Sequence, residues 1–341
     1  MNDAVTSSPF VHGPNSVTRV MLQVAYALIP AVLAYVWFFG WGVLVNLVWA
    51  SLVALGMEAA VLAARGRPLR PYLTDGSALV TALLLAFALP PLAPWWLTVV
   101  GVAFAIVIAK HLYGGLGFNP FNPAMVGYVT LLISFPLEMT TWPAAEAPHL
   151  GPLQALGYIF TGELPAGLAL DTVTGATPLD AMKTQLGLDR TVSEVLRQPV
   201  FGAVGGAGWE VVNGLVLAGG LWLLFRRTIS WHTPVGMLGG LFLIALIFHL
   251  SAPDQYAGPF FHLASGGAIL GAFFIATDPV SGATSARGRL LFGVGAGLLT
   301  YVIRTWGGYP DGVAFSVLLM NMAAPTIDYY TQPRVFGHSR E

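Results

Sequence analysis

The chain has 341 residues, 56% of them hydrophobic and 9% charged, with a net charge of -1 and a mean hydropathy of +0.72. Soluble domains carry about 25% charged residues, so lipid is expected to be the solvent for most of this chain. The balanced charge gives no footprint for nucleic acid, and the absence of cysteine excludes disulfides and cysteine-ligated iron–sulfur clusters, so electrons passing through the chain need an organic carrier.

A helix that spans a bilayer needs about 20 mostly apolar residues. In chain order, the apolar segments are 20–39, 41–64, 77–89, 95–112 and 122–135, then 211–225, 234–250, 262–277, 290–304 and 312–327. The first follows a polar stretch with a single Arg19, and no small-residue cleavage site comes after it. A retained membrane helix is therefore expected rather than a removed signal peptide. The third and eighth segments are short and run into Pro90 and Pro279. Short, Gly/Pro-interrupted segments in matching halves point to broken helices around a central site. Between the fifth and sixth segments lies a long polar stretch, 136–210. Within it, "TPLDAMKTQLG" and "RTVSEVLRQ" read as short surface helices.

"GSALVTALLLA" from Gly76 is similar to "GGAILGAFFIA" from Gly266, and "KHLYGG" from Lys110 to "IRTWGG" from Ile303. Each half then holds five segments, and five is odd, so the second half enters with the opposite orientation. The expected fold is an all-α polytopic membrane protein with ten helices in two inverted five-helix repeats: 1–135, an exported loop 136–210, and 211–341. Basic residues set the orientation. With both termini inside, the cytoplasmic face carries Arg19, Arg65, Arg67, Arg70, Lys110, Arg226, Arg227, Arg287, Arg289, Arg334 and Arg340. The short outer loops carry Arg304 alone. Lys183, Arg190 and Arg197 are not counted, because long loops cross regardless of charge.

Two heptads share one pattern: "DTVTGAT" at 171–177 and "DPVSGAT" at 278–284. Small residues before the last threonine leave its hydroxyl open to modification, but the same residues also build tight turns. The expected topology puts Thr177 outside and Thr284 inside. The two copies are not equivalent under the repeat, so duplication does not explain them. In "GFNPFNPAM", two Asn-Pro pairs break helical bonding. Asn122 is a candidate N-cap. Asn119 and Asn122 are also candidate amide partners for a flat heterocycle.

Asp278, at the end of the short eighth segment, is read both as a functional acid facing a cation, or Asn119 or Asn122 across the repeat interface, and as a turn cap. Glu58 is read as a solvated or paired acid and Asp75 as the N-cap of the third segment. Lys110 and His111 are expected at the positive-inside surface. His249 and His262 stay unassigned. "GAVGGAGWE" at 202–210 lacks the Lys-Ser/Thr of a phosphate loop and reads as a flexible outer loop.

Across nearly its whole length the chain resembles the D subunits of Rnf electron-transport complexes and, more distantly, the B subunits of sodium-pumping NADH:quinone oxidoreductases. The resemblance rests on "TDGSALVTALLLAFALP", "GGLGFNPFNPAMVGY", "DTVTGATPLD" and "FFIATDPVSGAT". It implies FMN joined by a phosphoester to Thr177, within the motif of Asp171, Thr174, Gly175 and Ala176, and attached by an exported flavin transferase. Thr174 stands where a serine is often found. The resemblance also implies a non-covalent riboflavin near Asn119 and Asn122, partner subunits, and a place in the bacterial inner membrane. The implied function is ion translocation driven by electron transfer between ferredoxin and NAD. Three rivals remain: the quinone-reducing relative, whose B subunit carries a longer N-terminal extension; a solute channel or transporter; and a passive anchor for soluble redox partners.

Overall fold

A computed structural model describes residues 16–332. Arg334 and Arg340, two of the basic residues used for orientation, lie outside the described residues. The chain is mostly helical, as expected of a multi-pass membrane protein. Among the described residues, five helices are long and apolar enough to cross a membrane.

The first half opens with α1 (Val17–Phe39), capped by Ser16, whose side chain accepts from the Arg19 N–H, and ended by Gly40. Next come α2 (Gly42–Ala64), a short α3 (Leu69–Leu73) and α4 (Ser77–Ala88). Helix α5 (Trp95–Ala103) continues into a π segment, Phe104–His111, so the fourth apolar segment is one rod with a change of register. The Asn-Pro stretch unwinds the chain, and α6 (Pro123–Ser134) restarts with the Asn122 side chain accepting from Met125 N. Asp75 does not occupy the N-cap position of α4. Gly76 does, with φ +81°, and Asp75 accepts from the N–H and hydroxyl of Ser77 just inside it.

The polar stretch folds into α7 (Pro136–Thr140), β1 (Trp142–Pro143), α8 (Pro152–Thr161), α9 (Leu170–Val173), β2 (Thr174–Gly175), α10 (Pro178–Leu186) and α11 (Val192–Val195). The two helices expected from the sequence are α10 and α11. Strands β1 and β2 pair antiparallel, Trp142 opposite Gly175 and Pro143 opposite Thr174.

The second half comprises α12 (Trp209–Phe225), α13 (His232–Ser251), α14 (Pro259–Ala264), α15 (Ala268–Leu270), a second π segment Gly271–Ile275, α16 (Ala286–Trp306) and α17 (Val313–Thr331). Helices α13 and α16 touch backbone to backbone. A Cβ on Gly293 would sit 2.4 Å from the Thr233 carbonyl, and one on Gly297 2.2 Å from that of Met237. This Gly-x-x-x-Gly spacing lets dispersion replace the hydrophobic drive that lipid removes. The main apolar core runs through both halves, from Ala31 and Leu85 to Met237 and Val317.

The eighth segment is two pieces rather than one short helix, α14 and the continuous run of α15 into the π segment. It breaks at 265–267, where Gly266 adopts φ +66°. In lipid every backbone group needs a partner. The Asn213 amide donates to the Ala264 and Gly266 carbonyls at 2.8 and 3.1 Å, and Arg304 donates to those of His262 and Ser265. Arg304 is thus no outer-loop charge. It is buried, and Asp311 pairs with it at 3.0 Å.

Candidate functional site

The two Gly-Ala-Thr copies fold differently. In the first, Thr174 closes α9 with its hydroxyl donating to the Leu170 carbonyl, Gly175 and Ala176 are exposed, and Thr177 is the N-cap of α10, its Oγ1 accepting from Asp180 N at 3.3 Å. Asp171 is exposed. In the second, Asp278 accepts from Val280 N and the Ser281 hydroxyl. Both carboxylate oxygens of Asp328 accept from Thr284 N, at 2.9 and 3.1 Å. The cap of α16 is Ser285, one residue past the motif. Only in the first copy does the last threonine stand at a helix N-terminus, where backbone N–H groups favour a phosphoryl group.

Thr177 is half-buried and borders two hollows. The first, about 110 Å³, is a cleft descending between the halves past Phe87, Met125, Tyr128, Leu270 and Ile275. The second, about 370 Å³, is lined by Glu146, Thr184 and Gln198 among others. Trp142 and Trp209 line both, with ring centroids 5.3 Å apart. They are the two tryptophans of 136–210, which was the available signal for them. Beside the threonine, burial pushes the Asp180 carboxyl above its ordinary value and Lys183 pulls it back, while burial draws the Lys183 ammonium down. Lys183 donates to the Ile303, Gly307 and Tyr309 carbonyls, which docks α10 on the end of α16.

The glycine-rich stretch 202–210 is a hydrogen-bonded turn. Val204 N and Gly205 N donate to Glu210 Oε1 at 2.7 and 2.8 Å. A Cβ on Gly206 would lie 2.1 Å from Pro178 Cγ, and one on Gly205 2.9 Å from Ser265 Oγ. The turn is wedged between the residue after Thr177 and the break in the eighth segment, which is why it has so little side-chain bulk.

An inner cavity of about 150 Å³ is lined by Lys110, Asn119, Asn122, Phe273 and Asp278 among others. Asn119 and Asp278 meet here: Asn119 Nδ2 donates to Phe121 O at 3.1 Å and to Asp278 Oδ2 at 3.5 Å. Asn122 brackets the two halves. Its Oδ1 caps α6, its Nδ2 donates to Ile275 O at 3.3 Å, and its backbone N–H donates to Asn321 Oδ1 at 3.1 Å. The capping readings of Asn122 and Asp278 therefore hold, and both residues also face the cavity.

Lys110 and His111 do not lie at the positive-inside surface. Both are buried, with Glu58, inside the first half. They are the last two residues of the π segment. Lys110 Nζ reaches Glu58 Oε1 at 2.5 Å and Ser77 Oγ at 2.7 Å, and His111 Nε2 lies 3.2 Å from the same Glu58 oxygen.

The family described as NQR2, RnfD, RnfE matches residues 4–337. The chain belongs to this family. It is similar, at 58% identity over 98% of this chain and 96% of the relative, to a protein of Ectopseudomonas mendocina named as the D subunit of an ion-translocating oxidoreductase complex. A Pseudomonas aeruginosa protein of the same name matches equally well. A third relative, from Vibrio vulnificus and of that name too, is 53% identical over 99% of this chain and 100% of its own length.

Proposed function

We propose that this chain is the membrane electron-carrying subunit of an ion-translocating oxidoreductase complex working between ferredoxin and NAD. The reading places it in the bacterial inner membrane with both termini inside, 136–210 outside, and the other subunits of the complex as partners. The relatives' shared name supports the complex. The observation that carries the electron-path reading is the pair of cavities in series, walled by the same elements. Helix α4 gives Phe87 to the outer cleft and Leu84 to the inner cavity, α6 gives Met125 and Ala124, and the second π segment gives Ile275 and Phe273.

In this reading FMN is esterified to Thr177 by an exported flavin transferase, and riboflavin occupies the inner cavity. A bound flavin supplies the one- and two-electron chemistry that a chain without cysteine lacks. The residues present fit both groups. The N-terminus of α10 offers N–H groups to a phosphoryl group on Thr177 Oγ1, and Trp142 and Trp209 offer aromatic faces that exclude water. At the inner site, the amides of Asn119 and Asn122 provide donors and acceptors for a heterocycle edge.

The ten-helix inverted repeat belongs to the same proposal. Each half sets a buried cation against a positive-φ glycine turn that opens a short helix: Lys110 on Ser77 beside Gly76, and Arg304 on Ser265 beside Gly266. The first turn faces the inner cavity and the second the outer cleft, as two inverted copies would.

Thr177→Ala is expected to abolish flavin fluorescence of the denatured subunit in a gel, while Thr284→Ala leaves it unchanged. Fluorescence that survives in the Thr177 variant would rule out the attachment site. Asn119→Leu with Asn122→Leu is expected to lower extractable flavin and leave the covalent signal intact.

A further inference from the structure

The most costly feature of the inner cavity is its wall. Lys110, Glu58 and His111 come from two helical rods and are each at most 2% exposed. Desolvating an ion pair costs several kcal/mol per ion, which mutual attraction repays only in part, and an ionisable group at membrane depth is by default a functional one. The pair does more than hold α2 to the π segment, because it is asymmetric with respect to the cavity. Lys110 lines the cavity, whereas Glu58 stands behind it. The ammonium has three N–H donors. Glu58 and Ser77 take two, leaving one for the cavity. Ser77 is itself held by Asp75 at 2.6 Å. Asp278 lines the same cavity, with its carboxylate occupied by Val280, Ser281 and Asn119. The Lys110–Glu58 pair is a fixed dipole with its positive end against the cavity.

We propose that Lys110, oriented by Glu58 and Ser77, is the charge that sets the reduction potential of the ring bound in the inner cavity. The inference rests on the reading of that cavity as a flavin site. One-electron reduction of a ring held there, by a flavin on Thr177, would add one negative charge, which the Lys110 ammonium would offset. Lys110 makes and breaks no bond and gives up no proton in the step. At low local dielectric a nearby unit charge is worth far more than in water, so the protein tunes the ring electrostatically and needs no rearrangement to do so.

The test is a spectroelectrochemical titration of the non-covalent flavin in the assembled complex. Glu58→Gln unmasks the ammonium and is expected to raise the potential, favouring the reduced form at least tenfold, about 59 mV for one electron. Lys110→Met with Glu58→Gln removes both charges without stranding either, and is expected to lower the potential below that of the wild type. Lys110→Arg keeps the charge and is expected to keep the potential. A merely structural pair would change flavin content or assembly and give no opposite-signed shifts. Equal potentials in all variants, or shifts of one sign in the Gln and Met/Gln variants, would overturn the role of Lys110. If wild-type complex holds no non-covalent flavin, or the Asn119→Leu/Asn122→Leu variant holds as much as wild type, the cavity reading itself falls.

Discussion

Arg304 shows how far a single residue departs from its place in the sequence. It ends an apolar run and reads as the one basic residue of the short outer loops. In the fold its guanidinium is buried, pairs with Asp311 and donates to two carbonyls freed by the broken eighth segment. Truncation would take the guanidinium from the His262 and Ser265 carbonyls and leave the half-buried Asp311 carboxylate with its Gly267 and Val313 N–H donors alone. Arg304→Ala is therefore expected to destabilise by about 1–3 kcal/mol for each buried carbonyl left unpaired. The effect should appear as a lower thermal midpoint in detergent. Arg304→Lys should recover only part of the loss, because an ammonium cannot reproduce the planar fork; full recovery by lysine would show that charge alone matters. Lys110 and His111 mislead in the same way. A basic residue just beyond an apolar run resembles an interfacial anchor, and nothing in a linear pattern announces a π segment or a Glu58 waiting 52 residues earlier.

At the scale of elements, what the sequence carried was periodicity and punctuation. Pro90 and Pro279 mark the ends of the short segments, Asn122 caps α6 as its position before proline implies, and α10 and α11 lie where their caps put them. What the sequence could not carry was contact between elements. "GAVGGAGWE" looks like slack because glycine is both flexible and small. Here smallness matters: the turn fits between Pro178 and the eighth-segment break. Gly206→Ala would place a methyl group 2.1 Å from Pro178 Cγ. Overpacking of this kind costs about 1–3 kcal/mol, and the strain falls on the turn that presents Thr177. The expected result is a severalfold drop in covalent flavin per subunit, read by in-gel fluorescence normalised to protein. Gly214→Ala, where a Cβ would meet nothing within 4 Å, should load normally. Normal loading in both variants would separate the turn from the attachment site.

For the whole molecule, the proposed path makes sense only if the two ends of the cavity series open on opposite sides of the membrane. Thr177 and Thr184 border the second hollow, while Asp278 borders the inner cavity and opens the second Gly-Ala-Thr turn. The charge pattern still favours that orientation after two corrections. Burial removes Lys110 from the inner count and Arg304 from the outer one. Arg65, Arg67, Arg70, Arg226, Arg227 and Arg287 remain exposed together near the ends of α2, α3, α12 and α16. The asymmetry therefore survives the loss of its least typical members, which is the form in which basic residues set topology. Because the native chain has no cysteine, single introduced thiols report without background. Thr184→Cys and Ala286→Cys both replace exposed side chains. In intact cells the first should react with a membrane-impermeant maleimide and the second should not. In opened membranes both should react, which shows that protection comes from sidedness and not from burial. Labelling of Ala286→Cys from outside would invert the molecule. It would expose Thr284 to an exported transferase and leave the two cavities running in the wrong direction for the proposed electron path.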